Sequence, residues 1–381
     1  MFSVRLSEIS LPASERDLDN LVGWFIETLC LVRKRGEATA DFGRAGPVHR
    51  LLKEYLFAQP EISWDAKMLA EELALTPASL NHHLTRLVEA GIIGFSNEGK
   101  GWRRYYLRGG SLTNAVEFFT LQCETIVKQR MALLDMHWNR NEPSPLPKTT
   151  PSETPPLTIG IVDHRPLFSD SQESPLSQWM GDFGLLGERP GKEAHAESIS
   201  VQLFEILLNR DLPLSLDEAE ELLDDQKPRL GRILERFRTT GMVQRVPRID
   251  RLSVALWTAM TAQHQRRGED WMLKKGGFQR ILNTKQQSSL LSQMKAGKLK
   301  IEDVEKSMQG HSSEEQMLLL NLLGGRLPLG HQMCGYSSAE VHREIAARID
   351  KILRRMRRVA QLYEQEMHPE YTASQRKGVE R

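Results

Sequence analysis

Apolar residues recur at helical spacing along most of this chain, and short β-rich runs interrupt that rhythm in few places. Residues 15–35 place Leu18, Leu21, Val22, Phe25, Leu29 and Val32 on one face of an amphipathic helix. Acidic residues open it, while Arg33, Lys34 and Arg35 close it, as the helix dipole favours. Gly36 supplies a stop. From Pro47 a second helix gathers Val48, Leu51, Leu52, Tyr55 and Leu56 on one face. Ser63 is the expected cap of a short helix, WDAKMLAEELAL. Thr76 then caps a third helix that Pro77 opens; its apolar stripe is Leu80, Leu84, Leu87 and Val88, and Gly91 ends it. Residues 92–96 and 102–107 are β-rich and flank a polar, glycine-containing turn, so three helices followed by a hairpin are predicted over 45–110.

A long helix follows at 111–139, with Val116, Phe119, Ile126, Leu133 and Leu134 among its apolar positions. It is too long for a small domain to cover, so a partner helix is expected, from a second copy of the chain in a homodimer. Residues 141–160 are proline-rich and are expected to be a linker; 161–197 carry no clear periodicity. The first pattern then recurs over 198–257. Ala70-Glu71-Glu72-Leu73 has a counterpart in Ala219-Glu220-Glu221-Leu222. Leu84, Arg86, Leu87, Gly91, Ile92 and Ile93 likewise match Leu234, Arg236, Phe237, Gly241, Met242 and Val243. Residues 243–246 and 252–257 are the expected hairpin strands of this second copy. The remainder, 258–381, is expected to be helical. Within it, residues 339–365 set Val341, Ile345, Ile349, Ile352, Met356 and Val359 on a near-heptad seam suited to helix pairing, with a protein partner as one possible occupant.

Charge narrows the function. The 381 residues hold 51 Lys+Arg and 50 Asp+Glu, for a net charge of +1, so any binding to nucleic acid must come from local patches. The 3 cysteines lie far apart without metal-ligand spacing, which argues against a zinc ribbon or a disulfide framework. No apolar run approaches the roughly 18 residues of a membrane span, and the opening MFSVRLSEISLP lacks the apolar core of a signal peptide. The expected location is cytoplasmic and nucleoid-associated, away from membranes. No GxxxxGK[ST], HExxH or GxSxG occurs, and no GxGxxG follows a strand; the expectation is a non-enzyme without cofactor or metal.

LAEELALTPASLNHHLTRLVEAGIIGF followed by GKGWRRYYL resembles the winged helix-turn-helix of the ArsR and MarR superfamilies of prokaryotic transcription regulators, over residues 45–110. The expected fold is therefore mainly α: winged helix-turn-helix modules, each three helices plus a β-hairpin wing, with additional long helices. The expected divisions are an N-terminal helix (1–44), the first module (45–110), a dimerisation helix (111–140), the linker (141–160), a loop-rich segment (161–197), a second module (198–257) and a helical C-terminal region (258–381).

With Leu80, Leu84 and Leu87 facing inward, Asn81, His82 and Thr85 point outward, Arg86 flanks them and Ser79 stands at the helix start. These are groups that can read base edges of double-stranded DNA. Lys100, Arg103 and Arg104 on the wing are placed to hold phosphates or enter a minor groove. In the second module, Lys227, Arg229, Arg232 and Arg236 suit phosphate contact. The expected function is a dimeric DNA-binding transcription regulator. Two alternatives stay open: a tandem winged-helix adaptor in a chromosome-associated or other multiprotein complex, and a replication-initiator-like protein.

Overall fold

A computed structural model describes residues 1–32, 46–97, 102–138, 153–163, 166–167, 169–187, 191–192 and 194–367. The protein is mainly helical, with small antiparallel sheets of two, three and two strands. Strand β1 (Ser3–Ser7) leads to α1 (Leu18–Thr28), whose N-cap Asp17 accepts a hydrogen bond from the Asn20 N–H. Helix α2 (Pro47–Arg50) continues as a π-helical stretch, Leu51–Leu56. Strand β2 (Trp64–Asp65), α3 (Ala66–Glu72), α4 (Pro77–Glu89), β3 (Ile93–Ser96) and β4 (Arg104–Leu107) follow, and the three strands pair in the order β2-β4-β3. The cap of α3 is Asp65, not the expected Ser63: Trp64 and Asp65 are held in the sheet, which carries the chain past Ser63 before the helix starts. Thr76 caps α4 through the Ser79 N–H, and Gly91 turns the chain into β3 with φ +70°, a left-handed conformation that favours glycine. Helix α5 (Leu112–Ala132) then begins at its cap Ser111.

The same order of elements recurs in the second half: β5 (Thr158–Val162), α6 (Pro175–Asp182), α7 (Ile199–Asn209), α8 (Leu216–Leu223), α9 (Lys227–Thr239) and β6 (Val243–Pro247). Gly241, at φ +76°, occupies the turn that Gly91 occupies in the first half. The strand that pairs with β6 lies far downstream. Helices α10 (Leu252–Lys274), α11 (Phe278–Ile281), α12 (Thr284–Lys295), α13 (Ile301–Met308) and α14 (Ser313–Leu322) intervene before β7 (Leu329–Met333), and α15 (Ser338–Met367) follows as α5 follows β4. Val243 pairs with Met333 just as Ile93 pairs with Leu107.

The expected strand at 252–257 is thus the start of α10, and the expected all-helical region contains β7. The physical reason is plain: Leu252, Leu256 and Met260, at helical spacing, are all fully buried in a core of the insertion's own with Met272, Phe278 and Leu319. The segments expected as linker and loop also contribute structure, since β5 starts at Thr158 and α6 buries Trp179.

Two seams join the halves. Strands β1 and β5 pair antiparallel with Arg5 opposite Gly160 at the middle of the register. About that point, the bond from the Glu8 N–H to the Leu157 carbonyl (2.7 Å) is mirrored by one from the Asp163 N–H to the Phe2 carbonyl (3.0 Å). Helices α5 and α15 pack against each other antiparallel. Thr113 N–H meets Glu364 at 3.0 Å near one end, Ser338 Oγ meets Asp135 at 2.7 Å near the other, and Arg357 spans to Glu117 and Glu124 between them. Phe119, Cys123 and Ile126 of α5 are buried, as are Ile345, Ile349 and Ile352 of α15. Each buried Phe or Ile among them contributes roughly 1.5–3 kcal/mol relative to exposure.

The cover expected from a second copy of the chain therefore comes from the same chain, and the seam of 339–365, expected to await a partner, is filled by α5 and α1. Much of that helix's basic face is used internally as well: Arg348 and Lys351 bind Glu8, and Arg357 binds Glu117 and Glu124. Among the described residues no helix is long and apolar enough to cross a membrane.

Candidate nucleic-acid interface

Helix α4 is fixed by its buried stripe of Leu80, Leu84 and Leu87, which turns the opposite edge to solvent. Asn81, His82 and Thr85 are exposed on that edge, with no side-chain hydrogen bond to other described residues. Ser79, in the first turn, is half-buried; its N–H is taken by the Thr76 hydroxyl at 3.2 Å. His82 and His83 bring their rings to 5.6 Å, and burial lowers the pKa of His83.

Arg86 departs from its expected role. Its guanidinium turns inward and donates to the Cys30 and Leu31 carbonyls at the end of the α1 segment. Cys30 there adopts φ +49°, a left-handed turn that lets these carbonyls face α4. The arginine is placed as a strut between α1 and α4, an arrangement that helical projection cannot show because it does not reveal what packs on a flank.

The hairpin beside α4 carries a mixture of cations and aromatic rings. Arg103 lies over the Phe95 ring, 4.9 Å from its centroid, in a cation–π contact. Arg104 is exposed but oriented, donating to the Ser63 hydroxyl at 3.0 Å and the Ser63 carbonyl at 2.9 Å. Those bonds engage Nε and Nη2 and leave further donors of the planar group for another acceptor. Tyr106 lies flat across Gly94, where an added Cβ would come within 2.7 Å of its ring. Trp102 is 53% exposed at the base of the turn. Lys100 lies outside the described residues. The aromatic groups Phe95, Trp102 and Tyr106 were missed as candidates because each also reads as an ordinary strand former; their exposure is a property of the folded hairpin.

In the second half, the matching helix α9 is engaged with the protein itself. Lys227 pairs with Asp217 at 2.5 Å and Glu220 at 3.2 Å, and these bonds raise its pKa. Arg229 pairs with Asp225 at 2.8 Å, Arg232 donates to the Pro228 carbonyl, and Arg236 donates to the Leu186 carbonyl as Arg86 does to the α1 turn. Lys227, Arg229 and Arg232 stay exposed beside these internal partners, and Arg236 is half-buried. Acidic residues in α8 and in the turn after it face the start of α9, and sequence spacing along α9 alone could not reveal them. Among the described residues no group of three or more His, Cys, Asp or Glu side chains is arranged to hold a metal ion.

No family model matches the chain, and no curated protein or solved structure matches it.

Proposed function

We propose that this chain is a double-stranded-DNA-binding protein of the winged helix-turn-helix type that regulates transcription. Helix α4 is its reading helix and the β3–β4 hairpin its wing. The observation that carries the reading is the contrast between the halves. The edge Asn81–His82–Thr85 stands exposed, without side-chain hydrogen bonds to other described residues, beside a wing bearing Arg103 and Arg104, whereas the cations of α9 have carboxylate and carbonyl partners. Hydrogen-bonding side chains on an exposed helix edge suit base readout, and flanking arginines suit phosphate contact.

The intramolecular pairing of α5 with α15 further favours one chain acting as its own pseudo-dimer, with a single reading helix. Such a protein selects a short, asymmetric site rather than an inverted repeat.

Fluorescence anisotropy of the full chain on labelled duplex DNA, across a range of salt, tests the reading. The expected outcome is salt-dependent binding whose log–log slope falls by about 1–2 in Arg103→Ala/Arg104→Ala, at roughly 0.9 per phosphate contact. Selection from a random library is expected to return a non-palindromic motif that changes in Asn81→Ala. Absence of binding at low salt refutes the proposal.

A further inference from the structure

The near-neutral total charge conceals one strongly segregated stretch. Residues 264–300, spanning the second half of α10, α11 and α12, hold nine Lys and Arg against two acidic residues. The next segment, 301–315, holds five acidic residues against one lysine. Soluble surfaces ordinarily intersperse the two signs. Arg266, Arg267, Lys274, Lys275, Arg280 and Lys285 are all exposed. Of the nine cations, Lys295 has a carboxylate at ion-pair distance, Glu269 at 4.0 Å, and Arg267 stacks 4.6 Å over Trp271. This contrasts with α9 and α15, where much of the basic surface is satisfied from within.

The position of this stretch is as informative as its charge. Strands β6 and β7 pair in the register of β3 and β4, so the insertion leaves the second half where the first half carries its wing turn. Its entry and exit are tied together there, the Arg248 N–H donating to the Pro328 carbonyl at 2.8 Å. Arg248, at the exit of β6, is 2% exposed and bonds both Glu218 of α8 (2.6 Å) and Asp250 (2.6 Å), and Trp257 donates to the Leu299 carbonyl at 2.9 Å across the insertion. A folded body with its own core, mounted on a wing stem, carries these exposed cations on successive helices, so the backbone that bears them need not be ordered on binding a polyanion.

We propose that the exposed cations of 264–300 make a second DNA-backbone contact, replacing the wing of the second half and extending the footprint beyond the α4 site. This rests on the DNA-binding reading of the first half. The ligand chemistry is a run of phosphates on duplex DNA, held without base selectivity.

The test uses the full chain with Lys274→Gln, Lys275→Gln, Arg280→Gln and Lys285→Gln together, all at exposed positions. Anisotropy is measured against a duplex of about 30 base pairs at several salt concentrations. Each phosphate contact released lowers the log–log salt slope by about 0.9, so a fall of roughly 2 to 4 is expected with the selected motif unchanged. A companion variant with Lys274→Arg, Lys275→Arg and Lys285→Arg keeps the charge and is expected to retain the wild-type slope; far-UV circular dichroism confirms that both variants are folded. A wild-type slope in the glutamine variant overturns this inference and leaves the α4 site standing. If the wild-type chain binds no duplex at any salt, both readings fall. If instead the four substitutions abolish binding to phosphatidylserine vesicles and leave DNA affinity intact, the face belongs to a membrane surface and the inference is overturned.

Discussion

Replacing Arg86 by alanine separates two roles that the same side chain could serve. Its guanidinium donates to the Leu31 and Cys30 carbonyls, which close the turn after α1, and it is half-buried against that turn. A hydrogen bond from a charged donor contributes about 1.5–3 kcal/mol net, and a carbonyl left without its donor adds a desolvation cost where water cannot follow. Two such bonds would give more than water-accessible geometry allows, because solvent can partly reach the vacated space. The expected loss is therefore about 2–3 kcal/mol. Urea unfolding of the full chain, followed by tryptophan fluorescence and circular dichroism, is the assay, with the lower-stability transition compared between variant and wild type. DNA binding under folded conditions provides the second readout, and the salt slope of Arg86→Ala should equal the wild-type slope. A variant of wild-type stability whose slope has dropped by about 0.9 would refute the strut and return Arg86 to the phosphate backbone.

The turn glycine of the second half is expected to be less replaceable than its φ alone implies. Gly241→Ala places a Cβ 2.9 Å from Leu157 and 3.0 Å from Ile345, both fully buried, at φ +76°; a loss of about 2–4 kcal/mol should appear in thermal or urea unfolding. Acid sensitivity should be shared between the seam of the halves, where hydrogen bonds from Lys351, the Leu157 N–H and Arg348 outweigh burial and hold the Glu8 pKa at about 2, and the mount of the insertion. Burial opposes ionisation of Glu218, but hydrogen bonds from Arg248 and the Ser215 N–H outweigh it and hold its pKa at about 2, below the ordinary 4.5. The stability it contributes is present in full above pH 4.5 and is lost as pH falls toward 2, so Glu218→Gln should flatten that part of the stability–pH curve, read by circular dichroism. An equally steep curve in the variant would show that other carboxylates set the acid limit.

Local patterns along the chain were enough to place most helices of the first half. The apolar stripe of α4, its Thr76–Pro77 start and its Gly91 end are encoded within a few residues of one another, because capping and left-handed turns are satisfied locally. The recurrence of Leu84, Arg86 and Gly91 as Leu234, Arg236 and Gly241 was likewise visible, and so was the basic run after residue 264 for anyone counting charge by segment rather than by chain. What packs across the fold was not. The partner strand of β6 lies beyond an insertion with its own core, and strand pairing depends on hydrogen bonds that no periodicity announces. The same limit holds for the basic side chains. Helical projection places Arg86, Lys227 and Arg229 toward the outside, but only the tertiary structure brings the α1 turn to Arg86 and acidic groups to the start of α9. The sequence alone determined which faces are apolar and where helices such as α4 begin and end; the folded arrangement decided which polar groups acquire internal partners, because packing brings together carbonyls, carboxylates and cations that lie far apart along the chain.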